Sequence, residues 1–335
     1  MKICLVTGGL GFIGTNFISH VLEARRDYMI INVDSVTYAA NPKNIPEGAP
    51  NYKFHRLDIA DKTGLIKVFE DNKIDYVVNF AAESHVDRSI LKPDIFIKTN
   101  IEGTFNLLEL SLEKGVKRFV QISTDEVYGS LGDEGMFCEV TPLSPRSPYS
   151  ASKASADLIA MSFFHTYGLP VLISRCSNNY GPYQFPEKLI PLVIINALNN
   201  KEIPLYGDGK NVRDWIYVSD HVRGVLSMLE NGKPGEIYNF GGNSEMKNID
   251  IITHILNKLG KPVSLIKYVK DRPGHDRRYA MDFSKAKKDL GFSQEYSLDR
   301  GLDITMEWYG NNVKWWQEIL SGEYKKYYKQ MYEGR

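Results

Sequence analysis

The feature that most restricts how this chain can fold lies at its very start. An apolar run, Ile3-Cys4-Leu5-Val6, stops at Thr7 and is followed at once by Gly8-Gly9-Leu10-Gly11-Phe12-Ile13-Gly14. A short apolar run bounded by glycines reads as a buried parallel strand. The apolar positions that come next, Phe17, Ile18, Val21 and Leu22, share one side of a helix. The strand-to-helix turn carries two overlapping glycine frames: GxGxxG on Gly9, Gly11 and Gly14, and GxxGxxG on Gly8, Gly11 and Gly14. A tight turn needs a residue free to take positive φ. The middle glycine lets backbone approach a pyrophosphate, and the last lets the helix lie close on the strand. The helix N-terminus then offers free N–H groups and a positive dipole end to the phosphates.

Glycines after a strand are often a plain turn, so the context decides. Strand-like runs recur at 29–34, 52–57, 75–80, 118–122 and 170–174, with helical stretches at 62–72, 94–114 and 149–167 between them. In the 94–114 stretch Ile97, Ile101, Phe105, Leu108 and Leu112 form one stripe, and Gly115 stands where a left-handed cap is wanted. Strands alternating with helices predict an α/β fold with a doubly wound parallel sheet, the Rossmann fold. The regular alternation weakens after about residue 176. The reading is therefore an NAD-binding domain over 1–175 and a smaller, mixed C-terminal substrate lobe over 176–335. Further strands at 212–218 and 236–242 are expected to join the first unit. The aromatic tail from Trp308 to Tyr332 is expected to pack on the lobe.

Composition excludes several partners. Of 335 residues, 41 are basic and 41 acidic, so no net charge points to nucleic acid or an anionic membrane. No apolar run approaches the roughly 18 residues of a membrane span, and the first residues do not read as a signal peptide. Cys4, Cys138 and Cys176 form no CxxC pair, and no HExxH spacing occurs, so neither a disulfide framework nor a metal site is expected. A cytoplasmic protein that handles small molecules is the expectation.

Asp34 ends the second strand, twenty residues past Gly14, where an acid meets the adenosine ribose hydroxyls of NAD. An NADP site would call for a basic residue nearby, and residues 34–38 read DSVTY. Asp58, after the third strand, is placed to meet the adenine edge or simply to cap a turn.

Tyr149 and Lys153 form YxxxK at the start of a helix, and the i, i+4 spacing puts both on one face. A tyrosine titrates near roughly 10 when unperturbed. A lysine one turn away and a positive nicotinamide would lower that value, so that the phenolate takes a proton from a hydroxyl. Ser123, Thr124, Asp125 and Glu126 follow the fifth strand, and ligands sit beyond the C-terminal ends of such strands. Alcohol oxidation needs no carboxylate pair. Elimination of water does: one carboxylate takes a carbon-bound proton and a protonated partner gives its own to the departing hydroxyl. A solvated acidic turn is the plain alternative. A non-catalytic dinucleotide sensor has no use for these elements together.

The segments TGGLGFIG, VDSVTYAAN (33–41), NFAAESHVDRSI (79–90), STDEVYGS (123–130), YSASKASAD (149–157), RCSNNYGPYQFPEKLIP (175–191), YGDGKNVRDWIYVSDH (206–221) and DRPGHDRRYA (271–280) resemble the dTDP-glucose 4,6-dehydratases of the extended short-chain dehydrogenase/reductase superfamily. The likeness runs along nearly the whole chain. Leu10 departs from a frequent alanine and is expected to alter packing, not the cofactor. The resemblance implies that Tyr149 deprotonates the glucose 4-hydroxyl as hydride passes from C4 to NAD, that Lys153 lowers the tyrosine pKa and holds the nicotinamide ribose, and that Thr124 binds the 4-oxygen. Glu126 would then take the C5 proton and Asp125 protonate the leaving C6 hydroxyl, before hydride returns to C6.

It further implies cofactor contacts at Gly8, Gly11, Phe12, Ile13, Gly14, Asp34, Ser35, Thr37, Asp58, Ile59, Ala81, Ala82, Ser84, Thr99, Ser123, Tyr149, Lys153 and Asn179. Substrate contacts follow at Ser84, Thr124, Asn178, Lys188, Leu189, Pro204, Tyr206, Arg213, Asn248, Arg272 and His275, with His85 orienting its loop. Arg213 and Arg272 suit a diphosphate, although Arg213 has Asp214 beside it as an alternative partner; Tyr206 suits a pyrimidine ring. A homodimer through a bundle of the 94–114 and 149–167 helices is also implied. A dehydratase acting on a UDP-, CDP- or GDP-hexose, or a 4-epimerase, stays open at this level.

Overall fold

The computed structural model describes residues 1–45 and 48–320; the part of the expected aromatic tail in 321–335 lies outside the described residues. The first half runs β1 (Lys2–Thr7), α1 (Phe12–Ala24), β2 (Tyr28–Asp34), β3 (Tyr52–Arg56), α2 (Lys62–Asp71), β4 (Tyr76–Asn79), α3 (Val86–Leu91), α4 (Asp94–Phe96), α5 (Thr104–Glu113), β5 (Arg118–Thr124), α6 (Pro148–Tyr167) and β6 (Val171–Cys176). The second half continues with β7 (Asn178–Tyr180), α7 (Leu189–Leu198), β8 (Ile203–Tyr206), β9 (Val212–Tyr217), α8 (Val218–Asn231), β10 (Ile237–Phe240), β11 (Glu245–Lys247), α9 (Asn248–Lys258), β12 (Ile266–Val269), α10 (Ser284–Leu290), α11 (Leu298–Asn311) and α12 (Val313–Leu320).

Seven parallel strands make the main sheet in the order β10-β6-β5-β4-β1-β2-β3. Strand order reverses between β1 and β4, the crevice where such sheets bind ligands. One face is covered by α1 and α8, through Phe17, Ile18 and Val21 against Val222, Val225 and Met228. The other is covered by α2, α5 and α6, through Leu65, Phe69, Leu107, Leu108 and Phe163. Near-continuous apolar strands are what burial on both faces requires.

Of the two late runs expected to extend the main sheet, only 236–242 does so, as edge strand β10 beside β6. The 212–218 run is corrected. Its strand β9 pairs with β7 in parallel and β11 in antiparallel, in a separate three-stranded sheet. Trp215 and Tyr217 on β9 belong to a third core with Ile190, Ile251, Leu302, Tyr309 and Trp316. Periodicity marks a strand but does not say which sheet it joins. The tail is anchored as far as it is described, with Trp316 buried.

The 94–114 stretch is helical but not one α-helix. Ile97–Gly103 widens into a π-helical turn between α4 and α5. A side chain at Gly103 would strike Ile59, since an added Cβ would sit 2.5 Å from its Cγ1. In the same turn Asn100 bonds both backbone groups of Glu83 and the Ser152 hydroxyl on α6. Helix α6 opens with a reciprocal Ser147–Ser150 capping box and a proline in its first turn, and closes at Gly168 with φ 73°. Both ends of the helix that carries Tyr149 and Lys153 are thus set locally.

Candidate active site

The turn after β1 is built from backbone. Gly8 has φ +68°, and an added Cβ would lie 2.6 Å from Ala81 N, at the end of β4. At Gly14 a Cβ would lie 2.3 Å from Gly8 O. Gly9 is as crowded, with an added Cβ 2.3 Å from Asn32 Oδ1, so both overlapping glycine frames are used in packing the turn. No side chain caps the N-terminus of α1 at Gly11, so its first N–H groups stay open to an anion.

A cleft of about 510 Å³ runs from this turn along the ends of the strands to α6. Phe12, Ile13, Asp34, Ser35 and Thr37 line one end; Asp58, Ile59, Ala81, Ala82, Ser84 and Thr99 line its flank; Ser123, Thr124, Asp125, Glu126, Tyr149, Lys153, Asn178 and Asn179 line the other. Asp34 accepts from Leu10 N at 3.0 Å and Val36 N at 2.8 Å. Each carboxylate oxygen keeps a lone pair for a ribose hydroxyl. Burial raises the Asp34 pKa, and those two backbone donors oppose the rise. Leu10 supplies one donor through its backbone, so its side chain leaves the cofactor contact untouched. No lysine or arginine occurs between 34 and 41. This cradle fits a dinucleotide with a free ribose at that end.

Asp58 holds Ala60 N at 2.9 Å, so its turn-capping role is real while it also faces the cleft. Asn179 is held through both ends of its side-chain amide. Its Nδ2 donates to Ser177 O and its Oδ1 accepts from His221 Nδ1. Its backbone oxygen accepts from Gln184 Nε2 at 2.8 Å, and these bonds fix Asn179 at the wall of the cleft.

The reactive end shows two neighbouring acids in unlike surroundings. Asp125 is 2% exposed; burial first, then the Glu126 charge, hold its pKa well above the usual carboxylate range. Glu126 is also raised by burial, but Arg272, Lys188 and Arg213 pull it back. Both carboxyls are thus shifted toward the protonated form, with three cations opposing the shift at Glu126, and unlike surroundings of this kind are what an acid and a base in one elimination call for. Thr124 Oγ1 donates to Asp125 Oδ1 at 3.1 Å and accepts from Glu126 N at 3.2 Å. Lys153 Nζ donates to Ile122 O at 2.5 Å. Burial, and then the Glu126 charge, push the Tyr149 phenol well above its ordinary value, while the Thr124 hydroxyl works the other way.

A second cavity of about 160 Å³ adjoins the first and shares Glu126, Asn178, Glu187 and Lys188 with it. It gathers Leu189, Pro204, Tyr206, Arg213, Asn248, Arg272 and His275. Those residues come from α7, β8, β9, α9 and the 271–280 loop, and only folding unites them. Arg213 does not pair with Asp214. It donates to Val212 O and Asp276 O at 2.8 and 2.9 Å and lies over the Tyr279 ring, while Asp214 holds Gly242 N and Ser244 N. Lys188 donates to Ser84 O at 2.9 Å, tying the two cavities together.

Tyr206 donates to Asp87 Oδ2 at 3.2 Å, Arg272 lies 3.8 Å from the other oxygen, and His275 is paired with Asp271 at 2.7 Å. Asp87 and Glu187 escaped the sequence reading. Glu187 lies beside Arg88 and His85 and accepts from Tyr38, with its pKa raised by burial to about 7. The only signal either gave in sequence was its place inside a quoted motif.

A seven-stranded nucleotide-binding sheet, a glycine turn and a Tyr-x-x-x-Lys helix facing the same cleft define the extended short-chain dehydrogenase/reductase class. The family model described as GDP-mannose 4,6 dehydratase matches residues 5–305. The dTDP-glucose 4,6-dehydratase of Xanthomonas campestris is 49% identical over 97% of this chain and 98% of that protein. The crystal structure of dTDP-glucose 4,6-dehydratase from Bacillus anthracis, in complex with NAD, is 47% identical and superposes with a TM-score of 0.90 over 95% of this chain and 100% of that one. A UDP-glucose 4-epimerase from Thermotoga maritima, solved with UDP-glucose, shares the fold at 31% identity and a TM-score of 0.88, over 93% of this chain and 100% of that one. The chain belongs to the dTDP-glucose 4,6-dehydratase family.

Proposed function

We propose that the protein converts dTDP-glucose to its 4-keto-6-deoxy derivative and water, with NAD as a cofactor that is regenerated in each turnover. The observation that carries this reading is the adjacent pair Asp125 and Glu126 lining the cofactor cleft together with Tyr149 and Lys153, with Glu126 also lining the second cavity. NAD, when bound, supplies the acceptor and later the donor of a hydride.

The remaining work belongs to the chain. Thr124 orients the sugar 4-oxygen, and Tyr149 removes the proton from the 4-hydroxyl while Lys153 supports the phenolate. A ketone at C4 makes the C5 proton acidic and turns the C6 hydroxyl into a group β to a carbonyl. Glu126, in its ionised form, takes the C5 proton. Asp125, in its protonated form, gives its proton to the C6 oxygen, which leaves as water. Arg213 and Arg272 meet the diphosphate; Tyr206, Asn248 and His275 surround the base. The cofactor contacts at the glycine turn, Asp34 and the flank of the cleft belong to the same proposal.

Incubation with dTDP-glucose tests the reading. A product lighter by one water, without accumulation of NADH, is expected; stoichiometric NADH or an unchanged mass contradicts it. A panel of UDP-, CDP- and GDP-glucose checks the base, for which rates below that with dTDP-glucose are expected. Among the described residues no helix is long and apolar enough to cross a membrane. We propose a cytoplasmic homodimer: Ile97, Phe105, Leu158 and Tyr167, around α5 and α6, expose apolar surface that a second copy would bury.

A further inference from the structure

One buried charged pair has no part in the scheme above. Asp157 on α6 and Arg175 on β6 are 1% and 3% exposed. Arg175 Nε donates to Asp157 Oδ2 at 2.9 Å. Ser123 Oγ, next to Thr124 in β5, donates to the same oxygen at 3.0 Å. Asp157 Oδ1 has no hydrogen-bond partner. An ion pair this deep adds little net stability over apolar packing, yet breaking one partner away is costly.

Its position is informative. Tyr149, Lys153 and Asp157 follow one another at i, i+4 spacing and so share a face of α6. With Arg175 at its far end, that face alternates phenol, cation, anion and cation. Lys153 is 4% exposed, and burial favours its neutral amine, which supports no phenolate. Asp157 is the strongest influence opposing that loss of charge, ahead of Cys176.

We propose that Asp157 is a positioning residue for catalysis: anchored by Arg175, it keeps Lys153 an ammonium beside Tyr149 and, through Ser123, fixes the end of β5 that carries Thr124. The assignment rests on the reading of Tyr149 and Lys153 given above. The titratable and charged groups around Lys153 are few. Its own helix supplies Tyr149 and Asp157, β6 supplies Arg175 and Cys176, and the turn after β5 supplies Asp125, Glu126 and Tyr128. From the elements packed on α6, α3 brings Asp87 and Arg88, α4 brings Asp94, the π turn brings Lys98 and Glu102, and α5 brings Glu109 and Glu113. Of this last set only Lys98 lines the cofactor cleft. Asp157 is the one carboxylate on the Lys153 face of α6.

The sign of the effect follows. Without the Asp157 charge, Lys153 loses its proton at lower pH, so the alkaline limb of activity moves down. Without Arg175, the Asp157 charge acts on Lys153 alone and the limb moves up. The test uses full-length holoenzyme carrying Asp157→Asn, Asp157→Glu or Arg175→Gln. Two readouts are taken: the pH profile of kcat/KM, and a tyrosinate absorbance titration expressed as the difference from the same protein with Tyr149→Phe.

Asp157→Asn is expected to lower the alkaline limb and raise the Tyr149 titration, each by about one pH unit or more. Arg175→Gln is expected to move both the opposite way, and Asp157→Glu to keep the wild-type profile. Limbs that stay in place while kcat falls evenly at all pH, or that move the same way in Asp157→Asn and Arg175→Gln, overturn the proposal. If Asp157→Asn does not fold, Arg175→Gln decides alone, since an unmoved or lowered limb contradicts the assignment. If wild type gives no dehydrated product from dTDP-glucose, the functional reading fails while the tyrosinate titration still reports on Asp157.

Discussion

The two cavities meet at Glu126 and Lys188 but are made by different means. The cofactor side is largely backbone: a glycine at φ +68°, a second glycine on which helix and turn close, and an uncapped helix start. The glycines of that turn sit next to one another in the chain. The sugar-nucleotide side is made of long side chains from several separate elements, steered by the buried Asp87 carboxylate and by the Asp276 backbone carbonyl. A backbone site is insensitive to side-chain chemistry and intolerant of any added Cβ. A side-chain site has the reverse character, because each arginine or tyrosine can be altered while the chain path is kept. Affinity for the cofactor and selectivity for the sugar nucleotide are therefore separable in this molecule.

The largest effects should fall where the two sides meet. Tyr149→Phe removes the base for the first step and is expected to cost about 10²–10⁴-fold in turnover, with both ligands still bound by equilibrium dialysis. Glu126→Gln is expected to lose dehydration by a similar factor while C4 oxidation survives, so NADH-like absorbance should build up on the enzyme. Wild-type turnover in that variant would remove Glu126 from the mechanism.

Next in size, Gly8→Val should break the backbone side alone. A non-glycine residue at that φ costs about 1–3 kcal/mol, before the overlap with Ala81 is counted, and purified protein should carry little NAD. Retention of a full complement, measured by absorbance after denaturation, would contradict the division. Arg272→Gln should break the side-chain side alone. The KM for dTDP-glucose should rise about 10–100-fold, from loss of a charged hydrogen bond of roughly 1.5–3 kcal/mol, with NAD content unchanged.

The smallest effect concerns His221, which is buried between Ser174 and Asn179. Burial lowers its pKa from 6.5 to about 3. Between those values the unfolded chain binds a proton that the folded chain does not, so stability contributed by the neutral ring is full above pH 6.5 and falls as pH drops toward 3. The thermal midpoint of His221→Gln should depend less on pH between about 7 and 5 than that of wild type.

Much of this was legible before any coordinates because the signals were local. The glycine turn, Asp34, the Tyr149-x-x-x-Lys153 spacing and Thr124-Asp125-Glu126 each lie within one strand end or helix turn, where sequence distance and spatial distance coincide. Legibility stopped where folding brings distant residues together. Strand β9 could be recognised as a strand, but its place beside β7 depends on tertiary packing. Residues of the second cavity came from resemblance, since nothing in the spacing of Lys188, Arg213 and Arg272 makes them neighbours.

The inward turn of the Asn179 side chain depends on His221, 42 positions away. The charges on Asp125 and Glu126 depend on arginines and a lysine from the second half of the chain. The widened turn at Ile97–Gly103 follows from contacts with Ile59 and Glu83 that no helical pattern records.

The central claim is that the hydride taken from C4 is returned to the same sugar before it leaves. dTDP-glucose carrying deuterium at C4 tests this most directly. The account predicts deuterium on the C6 methyl of the product, one atom per molecule, with the bound cofactor oxidised at the end. Product without label at C6, or label lost to solvent or left on free NADH, would contradict it.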